Sequence, residues 1–138
     1  MIKNLLIIQG NEMNTRWLFK NNDQIIKQYN QWRLQSDENS ELGKTYQISF
    51  SLIKYDTDDD GEITLLDNIT KVISDPLGNN LIELDTYERI IKTKIDLINK
   101  QYLILAYKNG EFIFQRFDMN DFSLHNQIIL EDLSIPDF

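Results

Sequence analysis

Two apolar segments joined by Asn109-Gly110 restrict the fold more strongly than any other part of the sequence. The segments are Tyr102–Lys108 and Glu111–Phe117, and Asn-Gly supplies the two positive φ angles of a type I′ hairpin turn. Because both faces of this hairpin carry large apolar side chains, we expect it to be covered on both sides, as in stacked sheets. The turn predicts the pairs Lys108–Glu111, Tyr107–Phe112, Ala106–Ile113, Leu105–Phe114, Leu103–Arg116 and Tyr102–Phe117.

Other short apolar or alternating segments, separated by turn signals, also favour strands. Leu5–Ile8 is a continuous apolar run before Gly10 and predicts a buried strand. Residues 23–34 fit a strand better than a helix capped by Asp23, although the apolar spacing leaves the helix open. One helical turn is expected near Leu65 and Leu66. The remaining predicted strands are Thr15–Phe19, Ile25–Leu34, Tyr46–Tyr55, Ile69–Ser74, Leu81–Leu84, Ile90–Leu97 and Leu124–Leu130.

These elements predict a mainly β fold of antiparallel sheets with at most short helices. A chain of 138 residues with 41% hydrophobic residues is expected to form a single β-rich domain over residues 1–138. Residues 35–44 are polar and aperiodic, which predicts a surface loop. Residues 131–138, with Pro136, are expected to be a loose tail. Trp17 and Trp32 are predicted to belong to the core rather than to a binding platform.

Composition excludes several classes of function. The chain has no cysteine, which removes disulfides, thiol catalysis and thiolate metal sites. A net charge of −8 disfavours nucleic acid and suits a cation or a basic protein partner. The apolar run that ends at Ile8 is too short for a signal peptide or a membrane span, so the chain as written is expected to be cytoplasmic. A trimmed exported protein would begin in the same way, and the compartment therefore stays open.

The chemistry of the sequence is concentrated in Asp56–Asp67, which reads Asp-Thr-Asp-Asp-Asp-Gly-Glu-Ile-Thr-Leu-Leu-Asp. Ca²⁺ takes six to eight oxygen ligands, and a loop that winds around the ion presents alternate side chains inward while a glycine allows the sharp turn. Glu62 is expected to offer its backbone carbonyl and Thr64 to act directly or through water. Ile63 would anchor the loop, and Asp59 would point away. The predicted metal ligands are Asp56, Asp58, Asp60, Glu62, Thr64 and Asp67.

An acidic turn held by aspartate side chains that accept backbone N–H groups is the alternative interpretation of this loop. It accounts for one or two aspartates but not for the whole pattern, because four close carboxylates repel each other unless a cation neutralises them. Ca²⁺ is therefore preferred over Mg²⁺. Modest affinity is expected, since Asp67 is shorter than the glutamate that binds in a bidentate manner at this position in other calcium loops.

The segment Asp56–Asp67 resembles the calcium loop of EF-hand and dockerin proteins at loop positions 1, 3, 5, 6, 8 and 12. The incoming segment Tyr46–Tyr55 alternates as a strand, which disfavours a helix-opening calcium sensor. Residues 67–122, with an Asp-Pro-Leu-Gly turn and a hairpin that ends in Arg-Phe-Asp, resemble blades of bacterial β-propeller proteins. This resemblance implies propeller-blade-like sheets, with a sandwich as the alternative. Two blades cannot close a propeller, so it also implies a fragment, an oligomer or another closure.

No catalytic constellation accompanies the acidic loop, and we expect a protein that is not an enzyme. His125 is the only histidine, and Glu83, Asp85 and Glu88 are interpreted as solvated charges. The sequence predicts a calcium-binding β domain with a structural or protein-binding role. The alternative is a small acidic immunity or inhibitor protein that blocks a basic toxin or nuclease.

Overall fold

A computed structural model describes residues 1–10, 13–33 and 45–130. These residues contain ten strands and no helix, and the strands form three antiparallel sheets. The mainly β prediction is therefore confirmed. The predicted loop at 35–44 and the predicted tail at 131–138 lie outside the described residues. The strands are β1 Leu6–Gln9, β2 Asn14–Trp17, β3 Ile25–Arg33, β4 Thr45–Ile53, β5 Ile69–Ser74, β6 Ile82–Tyr87, β7 Arg89–Asp96, β8 Gln101–Lys108, β9 Glu111–Asp118 and β10 Leu124–Ile129.

The chain divides into two compact units, Met1–Asp85 and Thr86–Phe138. The first unit contains the β1–β2 hairpin and a sheet in the order β3-β4-β5-β6, whose last strand continues across the division. Tyr29 is paired with Phe50, which in turn is paired with Val72 on the following strand. The segment from Ile25 is thus a strand, as predicted, and its helical alternative is wrong. The single-domain prediction stays a prediction.

A cluster of buried apolar side chains holds the first unit together. Strand β4 contributes alternate residues to this cluster because successive side chains of a strand point to opposite faces. Half-buried side chains of the N-terminal hairpin region, including Ile7, pack against it. The β1–β2 hairpin therefore covers one face of the sheet. The buried members of the cluster are Leu18, Ile26, Ile48, Phe50, Leu52 and Val72.

The β1 segment is less buried than its apolar run predicts. Leu6 is 50% exposed and Ile8 is 61% exposed, whereas Ile7 between them is packed against the cluster. Trp17 lies opposite Leu6 on β2 and is 62% exposed, so its assignment to the core is wrong. The cause is that this sheet has two strands and packs through one face only, which leaves the side chains of the other face in solvent.

The second unit is a sheet in the order β10-β9-β8-β7. Its central hairpin has the predicted register throughout, from Lys108–Glu111 at the turn to Tyr102–Phe117 at the open end. Asn109 and Gly110 have φ angles of 52° and 75°. Both positive angles of the predicted turn are therefore present.

The two faces of this hairpin differ in burial, which corrects the expectation that both are covered. One face is fully buried and includes Gln115, whose side chain accepts a hydrogen bond from the Tyr87 hydroxyl. The other face is half-buried. The buried face carries Tyr102, Ile104, Ala106, Ile113, Gln115 and Phe117, and the half-buried face carries Leu103, Leu105, Tyr107, Phe112 and Phe114.

Candidate metal centre

The acidic loop joins two neighbouring antiparallel strands, β4 and β5. Its four aspartates Asp56, Asp58, Asp60 and Asp67 each place one carboxylate oxygen within 4.8 Å of the others. The sequence prediction that these side chains converge is therefore confirmed, and the group has the composition of a site that could hold a metal ion.

Asp56 organises the first half of the loop. Its Oδ1 accepts a hydrogen bond from the backbone N–H of Asp60 at 3.2 Å, and its Oδ2 accepts one from Gly61 at 2.8 Å. Gly61 has a φ of 85°, in the left-handed region that favours glycine. A glycine at this point lets the chain turn around the Asp56 carboxylate, as the predicted sharp turn requires.

Asp58 and Asp60 each accept one backbone N–H group two residues further along the chain. The N–H of Asp60 bonds Asp58 Oδ1 at 3.3 Å, and the N–H of Glu62 bonds Asp60 Oδ1 at 2.9 Å. These contacts are Asx turns, in which an aspartate side chain replaces a backbone carbonyl. Both of these bonds go to Oδ1, and within the described part of the chain no N–H group bonds the Oδ2 atom of either residue.

Asp67 closes the loop and is only 4% exposed. Its Oδ1 accepts the N–H groups of Thr57 at 2.8 Å and Asp58 at 3.2 Å, while its Oδ2 accepts the N–H of Thr64 at 2.7 Å. The bond from Thr64, supported by those from Thr57 and Asp58, holds the pKa of the Asp67 carboxyl below its usual value. Its charged form therefore fastens the end of the loop to its beginning.

The carboxylates of the loop repel each other. Desolvation by neighbouring atoms, the side-chain contact with Asp56 and the charges of Asp60 and Asp67 together raise the pKa of Asp58 to about 6. The segment 56–67 contains no lysine or arginine that could neutralise them. Lys54, just before the loop, forms an ion pair with Glu83 instead. The group thus has an excess of negative charge that a bound cation would offset.

The other predicted loop residues lie around the four aspartates. The Glu62 side chain is exposed, and Thr64 is half-buried with its hydroxyl accepting the N–H of Leu66 at 3.2 Å. Ile63 is half-buried, as expected of an anchor, and Asp59 is exposed and stands outside the group. The side chain of Glu62 does not contribute to the group, which is consistent with a role for its carbonyl alone.

The helical turn predicted near Leu65 and Leu66 is wrong. These residues form a hydrogen-bonded turn in which the N–H of Asp67 donates to the carbonyl of Thr64 at 3.1 Å. The bond from Thr64 N–H to the Asp67 carboxylate tightens the same turn. Only this single turn forms, because the chain continues into strand β5 at Ile69.

Polar residues outside the loop have structural contacts that the sequence did not reveal. Lys71, in the middle of β5, is buried and donates a hydrogen bond to the Ser51 hydroxyl at 3.1 Å. The Glu83 carboxylate accepts the Tyr55 hydroxyl as well as the Lys54 amine, and Glu88 accepts the N–H of Gly110 at 2.6 Å. The sequence could have indicated only the contact of Lys71, because this lysine lies within the β-branched segment Ile69–Ser74.

Comparisons with models of known protein families, with curated proteins and with solved structures find no match for this chain. The resemblances to EF-hand and dockerin loops and to propeller blades therefore stay predictions. Within residues 1–10, 13–33 and 45–130, no helix has the length and hydrophobicity needed to cross a bilayer.

Proposed function

We propose that the protein is a calcium-binding β domain in which the ion orders the β4–β5 loop and gives it a structural or protein-binding role. The single observation that carries this proposal is the convergence of Asp56, Asp58, Asp60 and Asp67 within 4.8 Å. Such an arrangement supplies several negatively charged oxygens on one short winding segment. Hard cations bind groups of this kind.

The oxygen atoms near the group are sufficient for calcium. The Oδ2 atoms of Asp58 and Asp60 accept no N–H group from the described residues, so they are the first ligands to consider. Oxygens that already accept one hydrogen bond, such as those of Asp56, keep a second lone pair for an ion. With the Glu62 carbonyl, Thr64 and Asp67, the loop approaches the six to eight oxygens that Ca²⁺ requires.

Backbone hydrogen bonds alone offer a second explanation of the loop, because all four aspartates accept N–H groups. That explanation accounts for the shape of the loop but not for the proximity of its charges. The pKa of Asp58 is raised to about 6, first by desolvation and then by the side-chain contact with Asp56 and the charges of Asp60 and Asp67. A divalent ion would offset the part of this shift that comes from the nearby charges, and this supports ion binding over an empty acidic turn.

Calcium fits the group better than magnesium. Mg²⁺ demands octahedral geometry at about 2.0–2.1 Å and keeps several waters, whereas Ca²⁺ tolerates irregular arrangements at about 2.3–2.6 Å. Asp67 accepts N–H groups on both oxygens, which leaves it less free than the bidentate ligand of a tight calcium loop. We therefore expect modest affinity and preference for Ca²⁺.

Isothermal calorimetry with calcium chloride tests the proposal. The wild-type chain is expected to bind one ion, and a variant with Asp56→Asn and Asp60→Asn is expected to lose the binding heat. Asp59→Asn with Glu62→Gln is the matched control, since it also removes two charges, from exposed side chains of the same loop outside the group, and keeps the Glu62 carbonyl. Equal loss of binding in the control would show that the loop acts only through its total charge.

The acidic-inhibitor role stays a prediction that rests on the net charge of −8. Co-purification in equal amounts with a basic toxin or nuclease is its test. Retention of that complex after chelation of calcium would separate the two roles.

A further inference from the structure

The half-buried face of the second-unit sheet has an unusual combination of charge and hydrophobicity, and we call it the lysine face. Lys92 lies opposite Leu105 and Lys94 lies opposite Leu103, so both lysines share this face with apolar residues of the neighbouring strand. Leu105 is in turn opposite Phe114. The face therefore has an apolar centre and a basic border along β7.

A groove opens on the lysine face and has a volume of about 180 Å³. Ligand pockets for drug-sized molecules are larger, about 300–1,000 Å³. A groove of this size accepts one or two side chains of a peptide rather than a whole small molecule. Its lining consists of Lys92, Thr93, Lys94, Leu103, Leu105 and Phe114.

The charge of the lysine face is opposite to that of the chain as a whole. Arg116 on β9 adds a third cation, with its guanidinium 5.6 Å from the centre of the Phe114 ring. Two carboxylates lie at the far end of the face, Asp96 two residues after Lys94, with which it interacts, and Asp118 two residues after Arg116. The cations outnumber these carboxylates, and on a chain of net charge −8 this local excess of positive charge favours an acidic partner.

Lysines on an edge strand also discourage the pairing of sheets from different molecules. That role accounts for Lys92 and Lys94, because β7 is an edge of its sheet in the described structure. It does not account for the groove beside them, whose floor is formed by Leu103, Leu105 and Phe114. A face that served only to prevent the pairing of sheets would not need an apolar floor.

We propose that the lysine face binds an extended acidic peptide segment of a partner protein. In such a segment, side chains two residues apart project to the same side. An apolar side chain enters the groove between Leu105 and Phe114, and acidic side chains two residues away from it bind the amines of Lys92 and Lys94. The lysine face belongs to the second unit, whereas the acidic loop belongs to the first unit.

The test uses three short acetylated peptides on the full chain at low salt. The probe is Glu-Thr-Leu-Thr-Glu-Thr-Leu, the charge control replaces each Glu by Gln, and the apolar control replaces each Leu by Ser. Amide chemical shifts measured by NMR report both the affinity and the residues affected. The probe is expected to shift residues of β7, β8 and β9 around the groove, and both controls are expected to bind at least about tenfold more weakly.

Two charge-reversed chains complete the test. The variant Lys92→Glu with Lys94→Glu is expected to bind the probe at least about tenfold more weakly than wild type. The variant Lys20→Glu with Lys27→Glu, at exposed lysines of the other unit, is the matched control and should bind unchanged. Circular dichroism spectra of both variants are compared with that of the wild type to check that the variants are folded.

Four results would overturn the proposal. They are the absence of saturable binding, equal binding by both charge-reversed chains, tighter binding of sodium octanoate than of the probe at the same residues, and occupation of the face by a second copy in sedimentation experiments. The octanoate result would assign the groove to a small amphipathic anion instead.

Discussion

Replacement of Lys71 by methionine is expected to stabilise the protein at neutral pH. Lys71 is 4% exposed and donates to Ser51, and within the described residues no carboxylate forms an ion pair with it. Burial lowers the pKa of its amine from 10.5 to about 8. Since one pKa unit corresponds to about 1.4 kcal/mol, burial of the charged amine costs about 3 kcal/mol at pH 7.

The variant Lys71→Met removes this cost but leaves the Ser51 hydroxyl without its donor, which costs about 1 kcal/mol. Methionine has a similar length and fills irregular core space. We therefore expect the free energy of unfolding at pH 7 to increase by about 2 kcal/mol. Urea unfolding followed by tryptophan fluorescence measures this difference, and Lys27→Met, at an exposed lysine of the same sheet, is the control.

The pH dependence has a defined sign. Below about pH 8 the amine is protonated in both the folded and the unfolded chain, so the cost is fully present. Between about 8 and 10.5 the unfolded chain keeps a proton that the folded chain has released, and the wild type gains stability as pH rises. The higher free energy of unfolding of Lys71→Met relative to wild type should therefore disappear at about pH 9.5. An advantage that is the same at pH 7 and about pH 9.5, or no advantage at pH 7, would refute this reasoning.

The remaining predictions concern the loop, the core and the hairpin. Because the raised pKa of Asp58 is about 6, calcium affinity should fall as pH decreases through about 6, and calorimetry at pH 5 and pH 7 checks this; equal affinities would contradict it. Phe50→Ala should lower the free energy of unfolding by about 3–5 kcal/mol in urea titrations, since it opens a cavity in the first-unit cluster. Gly110→Val should lower the thermal midpoint, because φ is 75° there and a β-branched residue is strained at that angle by about 1–2 kcal/mol; an unchanged midpoint would count against the turn geometry.

The features that were predicted correctly from the sequence are determined by interactions between residues close in the chain. The register of the β8–β9 hairpin follows from Asn109-Gly110 alone, because a two-residue turn determines which residues oppose each other. Convergence of Asp56, Asp58 and Asp60 follows in the same way from their spacing around Gly61. Both predictions depend on residues that are close in sequence.

The features that the sequence did not predict depend on contacts distant in sequence. Leu6 and Trp17 are apolar, yet they are exposed because their hairpin has only two strands and packs through its other face. Burial of Lys71 depends on its position opposite Ser51 in a sheet whose neighbours the sequence does not specify. The turn at Leu65 and Leu66 ends at Asp67, whose carboxylate is held by the N–H groups of Thr57 and Asp58, ten and nine residues earlier in the chain.

A crystal structure grown in millimolar calcium tests the central claim most directly. Calcium binding by the loop predicts anomalous density for one ion bound by oxygens of Asp56, Asp58 and Asp60 at about 2.3–2.6 Å. Clear density for an empty loop, with these carboxylates bonded only to backbone N–H groups, would contradict it.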